Sequence, residues 1–257
     1  MFELDGKIAL VTGSSRGLGA AIAKCLAQAG ADLVVNYNSD HSAERAERVV
    51  QEIRAMGCRA ISVQADVSQE EDVIRLVNTA VEQFGRIDIL ASNAGINSNR
   101  NIYDLDLGEW QRIQDTNITG AFLVSKYVVP VMEANGWGRI IFTSSMVAQQ
   151  GALFGQVHYA STKAALQGFA RTLARTVAKK GITVNCVAPG THMTETLEEI
   201  LVTSDPHRLD SVIATTPVGH IGTCEDVGYA VCYLASKEAG FVTGAVLDVN
   251  GGCYMRS

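Results

Sequence analysis

Short runs of consecutive apolar residues alternate with longer stretches in which apolar positions recur every three or four residues. The first pattern suits a strand buried on both faces, the second an amphipathic helix lying on a sheet. KIALVTG (7–13), ADLVVNYN (31–38), RAISVQAD (59–66), RIDILASNAG (86–95), GRIIFTSS (138–145), GITVNCVAPG (181–190) and AVLDVNGG (245–252) read as strands. Residues 17–29, 41–56, 108–134 and 158–179 read as helices. Ser68 and Glu71 have capping-box spacing and open a further helix that Gly85 closes. This alternation predicts one α/β domain over 1–257, a doubly wound parallel sheet of about seven strands with helices on both faces. No linker, repeat or low-complexity segment interrupts it.

In such a sheet ligands sit beyond the carboxyl ends of the strands, where the strand order reverses. The segment after the first strand, TGSSRGLG (12–19), fits that position. Gly13, Gly17 and Gly19 permit a tight turn and a close approach of backbone to a phosphate, and the helix that follows offers free N–H groups to an anion. The spacing G-x-x-x-G-x-G differs from the general dinucleotide fingerprint G-x-G-x-x-G, and a purely structural turn is the competing reading. At the end of the second strand no acid precedes Asp40, so the usual carboxylate partner of an NAD ribose is missing. Arg16, with Asn38 and Ser39, could instead hold a 2′-phosphate, which points to NADP(H) in preference to NAD(H).

Composition narrows the field. The chain is 47% hydrophobic and 19% charged with a net charge of −6, which favours a large core and disfavours nucleic acid as a partner. No run is long and apolar enough for a membrane span, and the start, MFELDGKIALVTG, lacks the features of a signal peptide, so a cytoplasmic protein is expected. Six scattered cysteines show no C-x-x-C spacing and read as buried thiols, and no metal site is expected.

The chemistry is concentrated in Tyr159-Ala160-Ser161-Thr162-Lys163, where tyrosine and lysine share one helix face. Such a pair alone is weak evidence. In order along the chain, however, stand TGSSRGLG, SNAG (92–95), Asn117, TSS (143–145), the Tyr159–Lys163 pair, Pro189-Gly190 and VTGAVLDVNGG (242–252). This ordered set resembles the short-chain dehydrogenase/reductase family in its compact single-domain Rossmann form. Within the family it is most similar to 3-oxoacyl-[acyl-carrier-protein] reductase-like and naphthol-reductase-like members.

The resemblance implies a ketone–alcohol oxidoreductase with Tyr159 as general acid/base. A free tyrosine titrates near 10, and a neighbouring ammonium is expected to lower that value. Lys163 is implied to do this and to bond the nicotinamide ribose, Ser145 to bond the substrate oxygen, and Asn117 to hold a water in a proton relay. In many members the serine lies thirteen residues before the tyrosine. Here that position is Met146, so Ser145 is expected in the role, with Ser144 in reserve. Asp66 and Val67 are implied to touch adenine, and Ser15, Leu18, Asn93, Ala94 and Gly95 to line the cofactor. Pro189, Gly190 and Thr194 are implied to lie against the nicotinamide end.

On the substrate side Met146, Gln149, Gln150, Leu153 and Phe154 are expected to wall the pocket. His192 replaces an apolar residue of the family pattern and is a candidate substrate contact. Residues 191–220 read as one or two helices forming a lid, broken at Ser204-Asp205-Pro206. The family implies a homotetramer paired through 108–134 and 158–179. A 3-oxoacyl thioester, a small ketone, a sugar or polyol and a polyketide-like aromatic are comparable substrates. The alternatives are an NAD-linked sugar or alcohol dehydrogenase, or a cofactor-binding protein without turnover.

Overall fold

The computed structural model describes residues 2–152, 155–199 and 206–256. In chain order the elements are β1 (Ile8–Val11), α1 (Gly17–Gln28), β2 (Asp32–Tyr37), α2 (Ala43–Ala55), β3 (Ala60–Gln64), α3 (Glu70–Phe84), β4 (Ile89–Ser92), α4 (Leu107–Gln114), α5 (Gly120–Asn135), β5 (Gly138–Thr143), α6 (Val147–Gln150), α7 (Val157–Val177), β6 (Ile182–Pro189), α8 (Glu195–Glu198), α9 (Pro206–Thr215), α10 (Cys224–Ala235) and β7 (Val246–Val249). The strands form one seven-stranded sheet in the order β3-β2-β1-β4-β5-β6-β7. Every neighbouring pair is parallel. The strand order reverses between β1 and β4, which fixes where a ligand crevice opens.

The unbroken apolar strands follow from burial on both sides. Ala9 and Val11 of β1 face one core with Leu33, Val35, Ile89 and Ala91, under α1, α2 and α10. Leu10 faces the other with Val34 and Leu90, under α3, α5 and α7. Successive side chains of a strand point to opposite faces, so both alternating sets must be apolar.

Two local expectations need correction. The stretch read as one helix over 108–134 is two helices joined by a π-helical turn at Asp115–Thr119. The Asn117 side chain accounts for this widening: it is 1% exposed and turned inward to bond Ile96 and Thr162. The Ser68–Glu71 capping box does not form either. The Ser68 hydroxyl donates to Asp66 Oδ1 at 2.8 Å, and α3 begins at Glu70 without a side-chain cap. The lid region contains α8 and α9, and its expected break at Ser204-Asp205 lies outside the described residues.

Candidate active site

The turn between β1 and α1 is built by side chains from three strands. Gly13 has φ +62, and a Cβ there would lie 2.9 Å from Ala94 Cα. A Cβ on Gly19 would run into the Gly13 carbonyl oxygen. Only glycine lets the loop take this path against the end of β4. Asn36, 2% exposed, accepts from Gly13 N at 3.1 Å and donates to Val63 O and Ala65 O. Thr12 Oγ1 accepts from the backbone N–H groups of Asn93 and Ala94, both at 3.0 Å. The Asn93 amide donates back to Thr12 O and Gly13 O. Asn36 and Thr12 were not singled out in the sequence, because each sits within a strand-like run and only the folded turn reveals its partners.

Two cavities meet at this turn, sharing Gly13, Arg16, Asn93, Gly95 and Ile96. The larger, about 860 Å³, runs over Ser15, Asn38, Asp66, Val67 and Ala94. Its wall also includes His41, Ser42, Arg45 and Arg112, which the sequence pattern had hidden inside charged helices. Ser39 is not among its lining residues, and its hydroxyl donates to Asn38 Oδ1 at 3.4 Å. Asp66 Oδ1 receives both the Ser68 backbone N–H and the Ser68 hydroxyl. A glycine cradle that side chains would fill, opening onto arginines, fits the phosphates of a nicotinamide dinucleotide.

The smaller cavity, about 280 Å³, brings Gly17, Leu18, Gly19 and Thr194 to face Tyr159 and Lys163. Tyr159 and Lys163 stand one turn apart on α7, with Lys163 Nζ 5.4 Å from the tyrosine ring centroid. Lys163 is 3% exposed and donates to Thr143 O at 2.7 Å. Ser145 is the side chain that acts on the Tyr159 phenol. Ser144 points elsewhere, donating to Lys163 O at 2.8 Å and accepting from the Gln167 amide at 2.9 Å. Of the two serines, Ser145 is therefore the one beside the phenol.

Burial pushes the Tyr159 phenol up to about 12, with the neighbouring Ser145 hydroxyl pulling the other way. Burial also brings the Lys163 ammonium down to about 8. Burial, and not the neighbouring lysine, is thus the dominant influence on the tyrosine. Asn117 joins the site from the π-helical turn: its Oδ1 accepts from Ile96 N at 2.8 Å, and its amide donates to Ile96 O and to Thr162 Oγ1.

Several expected contacts are not brought to these cavities. His192 is 6% exposed, bonds Gly190 O through Nδ1 at 3.2 Å and packs on Gly222, in a separate cavity with Thr216 and Asn250. The residue that replaces an apolar one is buried like it, and it does not face Tyr159. Pro189 and Gly190 are tied to Met146 N and Val249 O at the end of β6 and line neither cavity. Met146 precedes α6 and lines neither cavity. Leu153 and Phe154 lie outside the described residues. Among the described residues no three His, Cys, Asp or Glu side chains are grouped to hold a metal ion, and no helix is long and apolar enough to cross a membrane.

Comparison with known proteins agrees with this geometry. A family model described as Enoyl-(Acyl carrier protein) reductase matches residues 13–254. The 3-oxoacyl-[acyl-carrier-protein] reductase FabG of Staphylococcus epidermidis is 39% identical over 252 residues, covering 97% of this chain and 99% of the relative. The 3-oxoacyl-[acyl-carrier-protein] reductase of Synechocystis sp. is 39% identical over 259 residues, covering 99% of this chain and 100% of the relative. A solved 7α-hydroxysteroid dehydrogenase, complexed with NADH and 7-oxo glycochenodeoxycholic acid, superposes with a TM-score of 0.90 at 34% identity, over 97% of this chain and 95% of that one. Glycine turn, tyrosine–lysine helix and full-length likeness together place the chain in the short-chain dehydrogenase/reductase family, as an NAD(P)-dependent oxidoreductase that interconverts carbonyl and alcohol groups.

Proposed function

We propose that this protein reduces the ketone of a 3-oxoacyl thioester, or of a carbonyl compound of similar reach, using NADPH. The observation that carries the reading is the half-buried Tyr159 phenol, with Ser145 beside it and the glycine cradle across the cavity. The phenol keeps its proton across the physiological range and can give it to a developing alkoxide, and an ammonium or other positive charge drawn close would make it the stronger acid that catalysis needs. The bound nicotinamide supplies the hydride. Ser145 donates to the substrate oxygen as its charge grows. Lys163 donates toward the nicotinamide ribose and replaces the proton that Tyr159 gives up. Asn117 keeps Ile96 and Thr162 in register beside it.

Arg16, Asn38 and Arg45 surround the ribose end of the larger cavity and favour a 2′-phosphate. Exposed Tyr103, Leu107 and Phe122, on and just before α4 and on α5, support self-association as a homotetramer. In this reading the enzyme works in the cytoplasm. Two other activities have specific support. The matched family model carries the name of an enoyl reductase, and the hydroxysteroid dehydrogenase was solved with NADH. An assay of NADPH and NADH oxidation against 3-oxoacyl and 2-enoyl thioesters, with ketosteroids and sugars as further acceptors, separates them. Turnover of 3-oxoacyl thioester with NADPH supports the proposal. Turnover of the enoyl thioester alone, or a preference for NADH, overturns it.

A further inference from the structure

His158 precedes Tyr159 on α7 and is 0% exposed. Its Nε2 lies 2.9 Å from Ser98 Oγ, and its Nδ1 is buried without a partner. Close by, Arg112 grips the Glu109 carboxylate through two bonds of 2.8 and 2.9 Å, and the charge of Glu109 acts on the imidazole. A serine hydroxyl can donate or accept, and so can an imidazole nitrogen according to its tautomer, so this pair forms one hydrogen bond in either tautomer.

Further stitches run alongside. Gln156 Nε2 donates to Asn99 Oδ1 at 2.9 Å, and Gln156 N donates to Arg100 O at 2.9 Å. Gln156 is the one non-glycine residue among those described with positive φ, at +64, in the left-handed region that side chains disfavour. A Cβ on Gly155 would lie 2.9 Å from Asn101 Cα. The segment from Ser98 to Asn101 is thus fastened, residue by residue, to the entry of the helix that carries Tyr159. The start of the same loop, Gly95 to Asn97, lines the smaller cavity opposite the tyrosine.

We infer that His158 is a positioning residue, which through Ser98 locks the loop lining the cofactor cavity to the first turn of α7 and so sets Tyr159 relative to the cofactor. An apolar ring would fill the same space without burying an unpaired nitrogen, so the imidazole is there for a directed bond. The inference rests on the reading of Tyr159 as proton donor.

Three variants test it. His158→Phe keeps the ring and removes the bond, Ser98→Ala removes the other partner, and His158→Gln places an amide nitrogen near the position of Nε2. His158→Phe and Ser98→Ala are each expected to lower kcat about tenfold, with the KM for cofactor changed less than about threefold, since small misplacement of a reacting group is felt in the chemical step. The double variant is expected to be no slower than either single one, and His158→Gln to restore most of kcat. Hydrogen exchange should quicken together in 96–100 and 157–160. Losses that multiply in the double variant, an unchanged kcat in His158→Phe, or exchange that quickens in only one segment would overturn the inference. A Tyr159→Phe variant with full turnover would instead remove the reading of the tyrosine, leaving the exchange result to judge the lock by itself.

Discussion

Lys163 Nζ donates to the Thr143 carbonyl oxygen at 2.7 Å from a position 3% exposed to solvent. The contact joins the last residue of β5 to the second turn of α7 and aims the ammonium along the wall of the smaller cavity. Burial lowers its pKa from about 10.5 to about 8. Between these values the unfolded chain binds more protons than the folded one, so folding stability rises with pH across that window. Against a Lys163→Met variant, which lacks this titration, the wild-type protein should gain stability from pH 8 to pH 10 and run parallel below pH 8. Urea unfolding at several pH values measures the difference, and parallel curves throughout would refute the buried charge. Activity of the variant should fall at least about a hundredfold.

Adjacent serines should fail in different ways. Ser145→Ala removes the hydroxyl beside Tyr159 and should lower kcat about a hundredfold while Tm changes little. Ser144→Ala leaves Gln167 without its acceptor and removes the bond to Lys163 O, which should cost about 1–3 kcal/mol of stability. Thermal unfolding and initial rates on both variants distinguish them, and the reverse pattern would move the catalytic role to Ser144.

Cofactor choice should reside in the two arginines at the ribose end of the larger cavity. Arg16→Ala with Arg45→Ala should raise the KM for NADPH by about tenfold or more and leave that for NADH within about twofold, since each lost charge-assisted contact to a phosphate weakens only the phosphorylated cofactor. Equal losses for both cofactors would show that the arginines do not read the 2′-phosphate.

Gly19→Ala should fold with reduced stability, because its Cβ meets the Gly13 carbonyl oxygen, which the Asn93 amide also holds. Overpacking of this kind costs about 1–3 kcal/mol. Any folded fraction should bind cofactor weakly, which nicotinamide fluorescence reads directly. Unimpaired binding would show that the turn adapts.

The sheet was legible because a strand buried on both faces shows a run of consecutive apolar residues, as IALV (8–11) does. The glycine turn, Tyr159 and Lys163 were legible because their spacing is local. Other features depend on contacts that spacing does not encode. The π-helical turn at Asn117 exists because an inward amide finds Ile96 and Thr162, partners far away in the chain. Arg45 looks like any charge on an exposed helix until β2 and the glycine turn bring it to a cavity. His192 looked like a substrate contact because it replaces an apolar residue of the family pattern, whereas its ring bonds Gly190 O and packs on Gly222. The Ser68 hydroxyl had two acceptable partners, and only the folded turn selects Asp66.

The larger cavity is lined entirely by residues between 13 and 116, whereas the tyrosine, lysine and serine come from 145–163. On the proposed reading, nucleotide choice and the proton chemistry of the carbonyl are therefore written on separate stretches of gene. A crossover between them could exchange one trait while keeping the other, and a laboratory library can vary the first half for cofactor economy without revisiting the chemistry encoded in the second.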